Sequence, residues 1–313
     1  MVTAKSFGFL FPGQGAQFVG MGQDFYSSSV PAKSLFDQAD QILGYKISEL
    51  CFQGPESELI RTLNAQIAIF VTSLAVLKAL RSHFPQITPS LSCGLSLGEF
   101  TALVALESIT FEDGLRLVKR RGELMEEACQ KNPGAMASLL GISVEDCLAL
   151  CKETHTELAN LNSPDQLVIS GAVHAVHKAC ELAKSKGAKR AILLKVGGAF
   201  HSSLMNDAKI GLEETLRKIT IFKPKGIFIP NITGASVSDP ETIRILLAKQ
   251  LTGSVQWIKT METVARFQPM DFLELGPGRV LKSLAKKINP NLNVINIEKT
   301  EDLHQLKPIT VEP

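Results

Sequence analysis

Short apolar runs alternate along the chain with longer stretches in which hydrophobic positions recur every three or four residues. The runs at 7–11, 91–94, 226–229, 271–275 and 293–297 have the length and bounding turn residues of strands. Helical periodicity falls between them, over 32–43, 67–83, 111–129, 205–219, 243–250 and 280–288. Thr110, with Asp113 three residues on, supplies a start signal for the helix over 111–129. Strands alternating with helices predict an α/β architecture built on a parallel sheet.

One segment breaks this rhythm. It reads as strand 136–140, helix 143–153, strand 157–161, strand 167–170, helix 173–186 and strand 190–196. The order β-α-β-β-α-β is that of a ferredoxin-like unit. Gly134 and Gly197-Gly198 bracket it, so the pattern predicts a core from 1–133 and 198–313 with a small subdomain, 134–197, inserted. A cleft between two such lobes is a common place for a small-molecule site.

Composition narrows the function classes. The chain has 313 residues, 45% hydrophobic and 20% charged, enough for one large core with a smaller lobe. A net charge of +2 gives no field that favours nucleic acid or an anionic membrane. Six cysteines lack framework or zinc spacing, although Cys147 and Cys151 lie one helical turn apart. Buried free thiols of a reducing compartment are expected, with no metal and no cofactor. The run at 7–11 is too short for a signal-peptide core. The apolar stretch at 67–77, interrupted by Thr72 and Ser73, is shorter than a membrane span. A cytoplasmic protein is the expectation.

The chemistry centres on Gly94-Leu95-Ser96-Leu97-Gly98, between a strand and a helical segment. A turn this tight needs small residues two before and two after its centre, and leaves Ser96 projecting. The Leu97 N–H, at a helix N-terminus, can donate to a developing oxyanion. The bland alternative is a flexible glycine turn. Among six histidines, His201 follows Gly197-Gly198-Ala199-Phe200 at a strand end, which makes it the best base for Ser96. No Asp or Glu marks itself as a third member, and a backbone carbonyl can take that place. Gln14, between two glycines after the first strand, can bring its backbone N–H to a ligand. Its loop lacks the spacing of a nucleotide phosphate site. Arg121 lies beside the stripe Leu115, Val118, Met125, where a surface stem with its head in water is the usual outcome. The alternative is a bidentate clamp on a free carboxylate.

Together these motifs resemble the malonyl-CoA:acyl-carrier-protein transacylase family of fatty acid synthesis. The resemblance runs from Phe9 to about Ile288. It rests on 11–17 (FPGQGAQ), 94–99 (GLSLGE), Arg121-Gly122, 160–164 (NLNSP), 198–202 (GAFHS), Gln250-Leu251, 255–257 (VQW) and 274–278 (ELGPG). It implies a hydrolase-like parallel-sheet core with an inserted ferredoxin-like small subdomain. It also implies that Ser96 attacks the malonyl thioester, that His201 shuttles the proton and that the Gln250 carbonyl orients His201. The N–H groups of Gln14 and Leu97 would form the oxyanion hole. Arg121 would clamp the malonyl carboxylate, with Asn160, Asn162 and Gln166 near the cleft. Phe200 resembles the bulkier family variant, which leaves no space for an α-methyl group.

The implied partners are malonyl-CoA and an acidic acyl-carrier protein, the enzyme itself being a monomer. Carrier docking calls for a basic patch, at Lys184, Lys186, Lys189 and Arg190 or at Lys282, Lys286 and Lys287. Solvated helix faces are the alternative for both. One departure stands out: the family usually has His where this chain has Leu95, which cannot donate a hydrogen bond. A serine thioesterase or esterase, or a non-catalytic carrier-binding relative, are the competing readings.

Overall fold

The computed structural model describes residues 7–267 and 270–306, so positions 1–6 and 307–313 of the expected core lie outside the described residues. The strands are β1 (Phe7–Phe11), β2 (Pro89–Gly94), β3 (Gly134–Leu140), β4 (Glu157–Ser163), β5 (Gln166–Ala172), β6 (Arg190–Leu193), β7 (Ile227–Phe228), β8 (Asp271–Leu275) and β9 (Val294–Ile297). Five of them form a sheet in the order β7-β2-β1-β8-β9, and every neighbouring pair is parallel. Every residue of β1 is buried, as expected of a central strand covered by helices on both faces.

The helix Thr62–His83 starts before the apolar run that predicted it, because its first five residues include the polar Thr62, Asn64 and Gln66. It packs between the helices Val30–Leu43 and Phe111–Lys131 and is buried on nearly all sides, which removes any polar stripe. By length and composition it could cross a membrane, but 83% of its most apolar stretch is buried inside the protein. The predicted cap holds: the Asp113 N–H donates to Thr110 Oγ1 at 3.0 Å, and the helix begins at Phe111.

Two expected strands are shorter than their apolar runs. β7 keeps two residues, pairs with Leu91 and Ser92 of β2, and ends two residues before Pro230, which has no N–H for a ladder. β6 stops at Leu193, on the edge of its sheet. The pattern over 205–219 resolves into a 3₁₀ turn, Ser203–Met205, and the helix Asn206–Leu216. The helices Ile47–Gln53 and Trp257–Ala265 were not foreseen.

The second sheet has the order β4-β5-β3-β6 and is antiparallel throughout. With the helices Val144–Thr154 and Val173–Ala183 it encloses its own core around Leu139, Leu150, Leu167, Ile169 and Val176. Two backbone bonds seat it on the larger part: Leu161 N–H to the Val255 carbonyl at 2.9 Å, and Val255 N–H to the Ala159 carbonyl at 2.8 Å. All six cysteines are free, four of them buried, and burial pushes the Cys51 thiol up to about 12.

Candidate active site

Ser96 stands at the end of β2 with φ 51°, a left-handed conformation that costs an L-residue roughly 1–2 kcal/mol. The turn closes because Gly94 and Gly98 touch and a Cβ on either would overlap backbone. Leu95 N–H donates to the Phe11 carbonyl at 3.1 Å, tying the turn to the end of β1. This is the tight strand-to-helix turn the glycine spacing predicts, and it continues into the helix Gly98–Ala105.

The Ser96 hydroxyl meets His201 Nε2 at 2.9 Å, and His201 Nδ1 meets the Gln250 carbonyl at 2.8 Å. With that carbonyl as acceptor, Nδ1 carries the proton and Nε2 is free to accept one. His201 is buried, and burial together with the nearby Arg121 cation pushes its pKa down to about 4. The imidazole is therefore neutral near pH 7, as a base must be.

Arg121 is 1% exposed, which overturns the surface-stem reading taken from helical pattern. Gly114 and Gly122, on the same helix, press against Phe70 and Leu63, so the helix lies close enough to enclose the guanidinium. Nη1 donates to Gln66 Oε1 at 2.6 Å, and Nη2 donates to Gln250 Oε1 at 2.8 Å and to the Ser96 hydroxyl at 3.1 Å. Nε has no acceptor among the described residues. The guanidinium carbon lies 5.4 Å from the Phe100 ring centre. Burial lowers the Arg121 pKa to about 10, which leaves it cationic at neutral pH, and Glu99 opposes the shift.

Gln250 does more than offer its carbonyl. Its Nε2 donates to the Ser96 carbonyl at 2.8 Å and to Glu99 Oε2 at 2.5 Å. Glu99 is buried, and burial raises its pKa to about 8 against the pull of its donors and of Arg121. Its other oxygen accepts the Asn231 N–H. The Asn231 side chain accepts the Ser96 N–H at 2.6 Å and donates to the Gly94 carbonyl at 2.7 Å. Gln66, Glu99 and Asn231 were missed from sequence. Gln66 left one signal, a glutamine directly before the apolar run at 67–77. Glu99 stands in the sequence as the last residue of GLSLGE, with nothing to mark it as a site residue by itself.

The remaining predicted residues divide. The backbone N–H groups of Gln14 and Leu97 have no protein acceptor among the described residues, and the Gln14 side chain donates to Thr62 Oγ1 at 3.4 Å. Beside Thr62 opens a cavity of about 510 Å³ lined also by Arg61, Cys129, Lys195 and Gly197. Asn160 is buried in β4, bridged to Val255, and the neighbouring Asn162 Oδ1 is buried without a partner among the described residues. Gln166 is engaged within the small sheet, donating to Ser138 Oγ at 3.3 Å. Phe200 is buried in the main core, next in sequence to His201. Leu95 is half-buried against an apolar cluster. Of the basic candidates, Lys186 pairs with Glu153 at 2.7 Å and Lys287 with Asp165 at 3.0 Å.

Residues 8–295 match the family described as acyl transferase domain. The malonyl CoA-acyl carrier protein transacylase of Bacillus subtilis is 41% identical over 300 residues, 94% of each chain. That of Haemophilus influenzae is 36% identical over 311 residues, 98% of this chain and 100% of the other. The crystal structure of the Clostridium perfringens transacylase superposes with a TM-score of 0.91 at 39% identity, covering 97% of this chain and 96% of that one. A malonyl-transacylase in complex with its type II PKS acyl-carrier protein gives a TM-score of 0.91 at 36% identity, over 96% of this chain and 98% of that one. The chain belongs to the acyl transferase domain family and, within it, to the malonyl-CoA:acyl-carrier-protein transacylases.

Proposed function

We propose that the protein transfers malonyl from malonyl-CoA to the phosphopantetheine thiol of an acyl-carrier protein, through a malonyl ester on Ser96. The observation that carries this reading is the Ser96 hydroxyl set between a neutral imidazole at 2.9 Å and a buried guanidinium at 3.1 Å. A base activates the oxygen, and a cation beside it selects an acyl group that ends in a carboxylate.

In the first half-reaction Ser96 Oγ attacks the thioester carbon while His201 Nε2 takes its proton. The carbonyl oxygen becomes an oxyanion, held by the N–H groups of Gln14 and Leu97. Collapse breaks the C–S bond, and the CoA thiolate leaves with the proton from His201. In the second half the carrier thiol gives its proton to His201 and attacks the ester. The C–O bond breaks and the proton returns to Ser96. One thioester replaces another, so the steps are balanced and a weak base suffices. No cofactor or metal is needed for this chemistry.

Arg121 holds the malonyl carboxylate, with its free Nε available for a second bond. Asn160, Asn162 and Gln166 contact the acyl-pantetheine chain from the small sheet, and Phe200 crowds the space of an α-methyl. The segment 134–197 is a ferredoxin-like lobe inserted in a hydrolase-like core, 1–133 and 198–313. Its sheet order supports this, since the first and third of its strands are central and the second and fourth lie at the edges. We place the enzyme in the cytoplasm, as a monomer.

The test is mass spectrometry after mixing with malonyl-CoA. The expected result is one malonyl added to the protein and none to Ser96→Ala. Release of free malonate outpacing transfer with carrier present would instead make it a thioesterase.

A further inference from the structure

Ser96 holds its left-handed backbone in the middle of a turn whose two flanking polar groups, the Gly94 carbonyl and the Ser96 N–H, have no partner in either sheet. One side chain takes both. The Asn231 carboxamide accepts from the Ser96 N–H at 2.6 Å and donates to the Gly94 carbonyl at 2.7 Å. It presents one acceptor and one donor in a plane, as a neighbouring strand's peptide would, at the point where the sheet has stopped. β7 ends at Phe228, two residues before Pro230, and that early stop frees Asn231 to turn towards the elbow.

Asn231 is itself fixed at both backbone ends. Its carbonyl accepts the Gln256 N–H at 2.8 Å, and its N–H donates to Glu99. Glu99 in turn accepts from Gln250, whose carbonyl holds the His201 ring. The hold on the nucleophile and the hold on the base thus share one buried carboxyl. Glu99 touches neither the Ser96 hydroxyl nor the imidazole, so its action on both is indirect.

We propose that Asn231, anchored by Glu99, is a positioning residue that sets the direction of the Ser96 hydroxyl. It also occupies the Ser96 N–H, so the oxyanion donors are left to Gln14 and Leu97. This rests on the reading of Ser96 as nucleophile, and the experiment separates the two. A fluorophosphonate probe, which needs a positioned serine but no carboxylate clamp, is reacted with the parent, Ser96→Ala, Asn231→Ala and Asn231→Asp. Failure of the parent to label, or labelling of Ser96→Ala, removes the nucleophile itself.

With the parent labelled at Ser96, Asn231→Ala is expected to slow both labelling and malonylation on the order of 100-fold. The KM for malonyl-CoA should stay within about threefold, since the clamp is untouched. Asn231→Asp keeps the shape and the acceptor for the Ser96 N–H, and should lose about tenfold. A role in stability alone would lower the unfolding midpoint and leave the rate per folded molecule unchanged. Either variant, cooperatively folded and reacting within about twofold of the parent, overturns the proposal.

Discussion

Among the described residues, four that are not glycine have left-handed backbone: Ser96, Glu107, His155 and His201, with φ between 51° and 58°. They form two kinds of place. His155 ends the helix Val144–Thr154, and its N–H donates to the Cys151 carbonyl. Glu107 follows the helix Gly98–Ala105 and donates to the Val104 carbonyl at 3.0 Å. At a helix end this conformation is part of the stop, closed by hydrogen bonds from the preceding turn. Neither Ser96 nor His201 ends a helix. Their side chains meet each other, and both are held by residues 49 to 154 positions away. The same dihedral angle ends a helix in one place and brings a hydroxyl to an imidazole in the other.

The comparison breaks first at His201. His201→Ala removes the base and should lower the rate of Ser96 acylation by about 10²–10⁴-fold, measured by single-turnover transfer from malonyl-CoA. In the parent, the same rate should be flat through neutral pH and fall as acid protonates the imidazole, near pH 4. The sign is fixed by the chemistry, because only the neutral ring can take the serine proton. A break near the ordinary histidine value would mean that the site is wetter than its burial indicates. Next comes Arg121→Ala, which deletes the cation beside the same hydroxyl. Loss of a charge-assisted contact of roughly 1.5–3 kcal/mol should cut the malonyl-over-acetyl preference by about 10- to 100-fold. An unchanged ratio in competing acyl-CoA assays would remove the clamp. The smallest effect belongs to the other kind of place. His155→Gly relieves a left-handed side chain at a helix end and should shift the unfolding midpoint by no more than about 2–4 °C, acylation being unchanged.

Much of the frame was legible because it is written locally. The β1 and β8 segments are correctly bounded, and the Thr110 cap marks the start of its helix. The glycines around Ser96 announce a turn that only small residues can make. Arg121 shows where local reading stops. Its neighbours in sequence describe an amphipathic surface helix, but its fate is decided by Gln66 and Gln250, 55 and 129 positions away. Asn231 left no trace at all. A lone Asn after a proline reads as loop, and its partners became visible only when the strand ends converged. The short β7 was misjudged for the same reason, since its length depends on what β2 offers alongside.

The parts of the site come from turns and helices spread between Gln14 and Gln250, and the bonds among them span up to 154 positions of chain. Contacts so far apart in sequence are late to form when a chain folds. A partly folded molecule can own the serine, the histidine and the arginine and still have no reactive hydroxyl. On the proposed mechanism, covalent labelling of Ser96 would therefore count completely folded molecules, and a nascent or damaged chain would not consume thioester.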